Sequence, residues 1–362
     1  MKKLIIFLSL PVMFFLTGCA ATNKTAVSKV PPVRNVILMI GDGMGLNHTF
    51  AAYTANQGSL AINRCQYVGL ARTQSADNYI TDSAASGTAI ACGEKTNNGM
   101  LGQRPDGSRL KSMLEYAADK GLSTGIVVTC ELTHATPAAF VAKVDKRSKS
   151  EDIALFFTRT NINVCIGGGR NFFEKREDKK NLTDSMKNKG FRVAYTMDEV
   201  KAAQQGNLLG LLADVALPAY PARGEMLPEA VNTAINILNQ NKKGFFLMVE
   251  GSQIDWGAHD NNRERVINET LDFNRAVQIA FDFAERDGQT LVIVTADHET
   301  GGLGINNGNL KTGDVTTNFF TKGHTGVPVP VYSFGPGAAK FSGIFENTEF
   351  LPKVLDIYRI SR

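Results

Sequence analysis

The feature that most constrains this chain is a recurrence of short β-branched and apolar runs separated by segments of helical pattern. The runs at 36–40, 125–129, 163–166, 245–249, 291–295 and 329–334 are each of strand length. Between them, 112–120, 152–158, 228–239 and 263–285 repeat apolar residues at helical spacing. Strands alternating with helices predict an α/β fold, a three-layer sandwich with a largely parallel central sheet flanked by helices. With 362 residues, 43% of them hydrophobic, the chain can bury a large core. No internal repeat or low-complexity block interrupts it. The stretch 306–322, rich in Asn, Gly and Thr, reads as a long loop or small insertion.

The N-terminus follows a different rule. Lys2 and Lys3, an apolar run from Leu4 to Leu16, then Thr17, Gly18 and Cys19 have the layout of a secretory signal peptide ending in a bacterial lipobox. The expectation is a signal peptide over 1–18, Cys19 lipidated after cleavage, a polar tether over 19–34 and one catalytic domain over 35–362. This makes the product an exported, periplasmic lipoprotein that touches the membrane only through its anchor. Cleavage removes two lysines and no acidic residue, so the net charge falls from +4 to +2. So small a bias argues against a nucleic-acid partner. Outside the cytoplasm Cys65, Cys92, Cys130 and Cys165 could form up to two disulfides, or could remain small buried thiols.

Open α/β sheets bind ligands at the carboxyl ends of their strands. Asp42 follows the run ending at Ile40. Glu250, Asp255 and His259 follow the run ending at Val249, and Asp297 and His298 follow Thr295. The chain has five histidines, and His259, His298 and His324 all stand in polar, glycine-adjacent positions. Asp255 and His259 are four apart, so a helical turn would put both on one side to chelate an ion. Oxygen and nitrogen donors without thiolates suit zinc, whereas an all-oxygen set would suit magnesium. The segment TDSAASGTA (81–89) reads as a helix start. Ser83 there either belongs to a simple cap or offers its hydroxyl where N–H groups and the helix dipole favour a phosphate oxyanion.

With these residues in place the chain resembles the alkaline phosphatases. The resemblance rests on VILMIGDGMG (36–45), TDSAASGTA (81–89), THATPAAF (133–140), EGSQIDWGAH (250–259), TADHETGG (295–302) and GHTG (323–326), which run in the family's order. It implies that Asp255, His259 and His324 hold one zinc and that Asp42, Asp297 and His298 hold the second, with Ser83 as nucleophile. It further implies a third metal, usually magnesium, bound by Asp42, Thr136 and Glu250, and it assigns Arg147 to gripping two phosphate oxygens, with Lys143 and Lys146 as neighbouring cations. His134 and Trp256 stand where other members carry aspartate and lysine, which leaves the third metal's identity open.

The implied reaction is hydrolysis of small-molecule phosphate monoesters through a phosphoserine on Ser83, with broad specificity. Only 25 residues separate His298 from His324, so the crown-like insertion of larger members is reduced to a loop; a homodimer is compatible with the resemblance. A phosphodiesterase of the same superfold and a silent metal- or phosphate-binding lipoprotein are the other readings. A sulfatase is disfavoured because Ser83 lacks a Cys/Ser-x-Pro-x-Arg context. Gly167, Gly168 and Gly169 are expected to form a tight turn rather than a phosphate cradle. His48 is expected on the helix that follows Gly45.

Overall fold

The computed structural model of the chain describes residues 32–362, together with Met1 and Leu4. The expected signal peptide, Cys19 and most of the tether lie outside the described residues. Fourteen strands follow in chain order: β1 (Asn35–Gly41), β2 (Tyr67–Arg72), β3 (Ser123–Glu131), β4 (Val164–Gly168), β5 (Phe191–Ala194), β6 (Asn207–Leu211), β7 (Phe245–Gly251), β8 (Thr290–Thr295), β9 (Glu299–Thr300), β10 (Leu303–Asn309), β11 (Asp314–Phe319), β12 (His324–Thr325), β13 (Val329–Phe334) and β14 (Gly343–Glu346).

Ten of them form one sheet in the order β14-β2-β13-β8-β1-β7-β3-β4-β6-β5. Only β13 runs against its neighbours; the remaining pairings are parallel. Every residue of β1, β7 and β8 is buried, as expected where helices cover both faces of a parallel sheet. Arg263–Asp287 packs with Met226–Leu238 and Leu46–Ala55 beside the central strands, while Ser83–Cys92, Met113–Asp119 and Phe350–Tyr358 pack together as a second group. The expected α/β sandwich is the observed architecture.

The sequence pattern located the inner strands better than the outer ones. β2, β5 and β14 lie toward the sheet's edges and are partly exposed, so their short runs mix polar and apolar residues without a clear period. Of the two readings of 306–322, the loop is replaced by the small insertion: β10 and β11 pair antiparallel as a separate ribbon, from Leu303 opposite Phe319 to Asn309 opposite Asp314. The Asn, Thr and Gly that signalled a loop are the residues of a half-exposed ribbon and its turn. The glycine run is structural but is not the expected tight turn throughout: Gly167 and Gly168 end β4, and only Gly169 turns the chain. A Cβ on Gly168 would lie 1.9 Å from the Val215 carbonyl oxygen, and Gly169 sits at φ +99°. The four cysteines are free thiols, three of them buried.

Behind the central strands, the long helix carries Glu269 and Asp272, both buried, and Arg223 reaches them from a preceding loop. Its Nη1 donates to Glu269 at 2.9 Å and its Nε to Asp272 at 3.1 Å, while Arg275 donates to the other Asp272 oxygen. Removing the central cation would leave two buried carboxylates short of partners. Arg223→Met is expected to lower stability by about 3–5 kcal/mol, measured as a fall in the urea midpoint with an unchanged slope.

Candidate metal centre and nucleophile

The parallel register sets the strand ends level. Ile40 pairs with Glu250 on β7 and with Thr295 on β8, and Val128 on β3 also pairs with Glu250. Asp42 therefore leaves the sheet two residues past the level of Glu250 and level with Asp297. Past β7 the chain turns into the helix Gln253–His259, which puts Asp255 and His259 on one side as their spacing requires. His324 arrives by another route: β9 and β12 pair antiparallel with Thr300 opposite His324. This stacks the His324 ring on that of His298, with centroids 3.6 Å apart. At Gly43 the backbone has φ +70°, and a Cβ would lie 2.9 Å from Asp255 Oδ1, so glycine is required for Asp255 to approach.

Two clusters of donors result, Asp255 with His259 and His324, and Asp42 with Asp297 and His298; a third joins Cys130, His134 and Glu250. In the first, Asp255 Oδ1 lies 3.3 Å from His259 Nε2 and 3.7 Å from His324 Nε2. In the second, His298 Nε2 lies 3.5 Å from Asp42 Oδ1 and 3.3 Å from Asp297 Oδ2. These are the two ligand sets implied by the resemblance, brought together from four parts of the chain.

The hydrogen bonds around the rings orient them. Nδ1 of His259 faces the Lys322 carbonyl and Nδ1 of His324 faces that of Thr81 at 2.9 Å. A carbonyl only accepts, so both Nδ1 atoms carry protons, and a neutral ring then presents Nε2 as a lone pair. Thr300 donates its one hydroxyl proton to Asp255 and so accepts from His298 Nδ1 at 3.2 Å, which leaves His298 Nε2 bare as well. Asp297 is anchored by Gly43 and His298 backbone N–H groups through Oδ1, leaving Oδ2 unpartnered. Both oxygens of Asp42, Oε1 of Glu250 and the Thr136 hydroxyl are likewise buried without partners.

Unpaired buried carboxylates repel one another and resist ionisation. Burial, reinforced by Asp297, Asp255 and Glu250, pushes the Asp42 carboxyl well above the usual range. Burial raises Glu250 to about 8 and, together with Asp255, Asp297 to about 6. His298 is pushed down by burial and by His324, whereas the hydrogen bond to Asp255 raises His259 to about 9. The donor set thus fits divalent cations: imidazole nitrogens converge with carboxylate oxygens of Asp42, Glu250 and Asp297 that have no hydrogen-bond partner.

Ser83 opens the helix Ser83–Cys92, capped by Asp82, whose Oδ1 accepts from Ala85 N at 2.9 Å. Asp82 is therefore the cap, and Ser83, the first helical residue, places its Oγ 3.2 Å from His298 Nε2. The other Asp82 oxygen accepts from Arg147 Nη1 at 3.1 Å, and Arg147 Nη2 lies 3.4 Å from His134 Nε2. Of the neighbouring cations, Lys143 pairs with Glu115 at 2.9 Å and Lys146 is exposed, leaving Arg147 beside the serine helix. Trp256 packs edge-on against His134, with ring centroids 5.9 Å apart. His48 is buried on Leu46–Ala55 as expected.

A family model described as alkaline phosphatase matches residues 33–318. Alkaline phosphatase 4 of Bacillus subtilis is 36% identical, over 91% of this chain and 90% of its own. The chain belongs to the alkaline phosphatase family. It is accordingly an enzyme, a phosphoric monoester hydrolase. Streptomycin-6-phosphate phosphatase of Streptomyces griseus is 31% identical, over 94% of both chains. The solved alkaline phosphatase of the Antarctic bacterium TAB5 superposes with a TM-score of 0.86 at 37% identity, covering 91% of this chain and 99% of that one. A histidine-to-aspartate variant of the TAB5 enzyme has been solved with magnesium bound in its M3 site.

For this alkaline phosphatase family member, three residues escaped the sequence reading as functional parts. Thr300 and Asp82 lay inside quoted motifs, but their contacts with His298 and Arg147 depend on folding. Cys130 had no motif to mark it, only its place on the strand before THATPAAF. Thr300→Val would free the His298 ring and one Asp255 oxygen, and is expected to weaken cation binding 10–100-fold, read by competition with a chromogenic chelator.

The shifts also set a pH dependence for the metal-free protein. Glu250 holds its folded-state proton up to about 8 and His259 to about 9, both above their ordinary values. Their stabilising effect is present at lower pH and is lost as pH rises through those values. Between about pH 6.5 and 9 the melting temperature in chelator is therefore expected to fall, and a saturating divalent cation should remove most of that fall.

Proposed function

We propose that this enzyme hydrolyses phosphate monoesters with two zinc ions and a phosphoserine on Ser83. The observation that carries the reading is the place of Ser83 Oγ: at a helix N-terminus, 3.2 Å from the His298 Nε2, beside carboxylate oxygens that lack partners. Zinc held by Asp255, His259 and His324 and by Asp42, Asp297 and His298 would supply Lewis-acid stabilisation of the entering and leaving oxygens and lower the pKa of the attacking hydroxyl.

The chain's own groups do the rest. The first turn of Ser83–Cys92 directs N–H groups and its dipole at an incoming phosphate. Arg147 has five N–H donors; Asp82 and His134 engage two, which leaves a fork to grip two non-bridging oxygens. Ser83 Oγ attacks phosphorus as the alcohol departs, and water then cleaves the phosphoserine, freeing inorganic phosphate and the serine. Because these residues address the phosphoryl group and leave the alcohol unread, specificity is broad. Magnesium at Asp42, Thr136 and Glu250 is the family's usual third ion, with His134 and Trp256 beside the site. The N-terminal pattern extends the reading to an exported lipoprotein held in the periplasm through Cys19.

An aryl phosphate at alkaline pH should be turned over, stopped by chelator and restored by zinc. Ser83→Ala should lose at least about a thousandfold in kcat and all phosphoenzyme while zinc stays bound. Full activity in that variant would remove Ser83 from the mechanism, and a strict preference for one substrate across a diverse panel would contradict broad specificity.

A further inference from the structure

We propose that Cys130 is a ligand of the third cation site, which gives that site a sulfur, nitrogen and oxygen donor set and makes it select zinc over magnesium. The inference deepens the reading above and rests on it only for the presence of divalent cations in this cleft. Cys130 is the penultimate residue of β3, and Glu250 stands on the adjoining β7. The Cys130 Sγ lies 3.4 Å from Glu250 Oε2. Two donors on one tetrahedral zinc, at about 2.3 Å for sulfur and 2.0–2.2 Å for oxygen, stand roughly 3.5 Å apart, so the pair is already spaced to share an ion.

His134 completes the group: one donor atom each from Cys130, His134 and Glu250 lie within 4.8 Å of one another. Two further observations point to a ligand. Glu250 Oε1 and the Thr136 hydroxyl, on fully buried residues, have no partner, and neither does His134 Nδ1. In this structure His134 Nε2 accepts from Arg147 Nη2 at 3.4 Å; binding an ion through Nδ1 requires the other tautomer, with the proton on Nε2 and that long contact given up. An all-oxygen site of Asp42, Thr136 and Glu250 would favour magnesium, a hard ion that keeps near-ideal octahedral geometry. A set of Cys130 thiolate, His134 imidazole and Glu250 carboxylate with one further oxygen moves the preference to a borderline-soft ion with four-coordinate, tetrahedral geometry. The thiol proton leaves when the ion binds, as at other thiolate sites.

The test uses the full-length protein stripped of metal and reloaded with cobalt(II), together with zinc loading against excess magnesium. Cobalt bound to Cys130 is expected to show a thiolate-to-metal charge-transfer band in the near ultraviolet. Cys130→Ser should lose the band and Cys65→Ser should keep it; Cys130→Ala serves if the serine variant does not fold. Under excess magnesium the wild type should retain about three zinc ions per chain and the Cys130 variant about two, with magnesium in the third place. A cobalt protein filled at all three sites without the band overturns the inference, and so does magnesium displacing the third zinc from the wild type. Aryl phosphate hydrolysis measured on the same samples separates the two readings. Activity without the band rejects Cys130 as ligand and keeps the phosphatase mechanism, whereas a band without activity supports Cys130 and rejects the mechanism.

Discussion

The electrostatic demand of four carboxylates gathered at one end of a dry sheet is what the rest of this structure serves. Asp42, Glu250 and Asp297 are fully buried and Asp255 nearly so. Left to protons, the cluster holds part of its charge back: burial raises Asp42, Glu250 and Asp297 together. A folded protein tolerates such an arrangement when something else supplies the positive charge; of the facing rings, His259 is raised to about 9 by its hydrogen bond to Asp255, while burial pushes His298 down and keeps it neutral. Divalent cations meet the demand, and the hydrogen bonds that fix the ring tautomers keep the lone pairs aimed for them.

Parallel strands make that crowding feasible. Because β7 and β8 flank β1 in matched register, their carboxyl ends lie side by side, and the chain must turn at the same level after each. One turn leads into the helix carrying Asp255 and His259, and another into the two-residue β9, whose pairing with β12 returns His324 from far along the chain. Glu299 locks that small ladder: it accepts from Gly302 and Leu303 backbone N–H groups and from the Thr325 hydroxyl. The ligands are thus set by backbone pairing, and the half-exposed ribbon β10–β11 between the two histidines is tied to the same ladder through Leu303, whose N–H donates to Glu299.

The inner strands, the long helix and the convergence of Asp42, Asp255, His259, Asp297 and His298 were legible because one period, apolar run followed by polar donors, repeats along the chain. Edge strands such as Phe191–Ala194 were not, since a half-exposed strand of four residues carries too little pattern. The stretch 306–322 stayed open between a loop and a small insertion because its composition reports exposure, and exposure is shared by loops and solvent-facing strands. Thr300, Asp82 and Cys130 were invisible for another reason. Each acts through a partner distant in sequence, Asp255, Arg147 and Glu250 respectively, and no local pattern encodes such a contact.

Asp82 shows how one residue joins folding to chemistry. One of its oxygens caps the helix that begins at Ser83, and the other accepts from Arg147 and from Gly99 N. The Ser83 helix start and the Arg147 guanidinium are therefore indexed to the same carboxylate. Arg147 also lies against His134, and His134 against Trp256, so the guanidinium is joined by direct contact to the third donor cluster. A change of ion at Cys130, His134 and Glu250 would draw His134 inward and release its contact with Arg147, leaving the guanidinium to Asp82 and the substrate. The third donor cluster, the guanidinium and the start of the serine helix are thus one connected set of side chains.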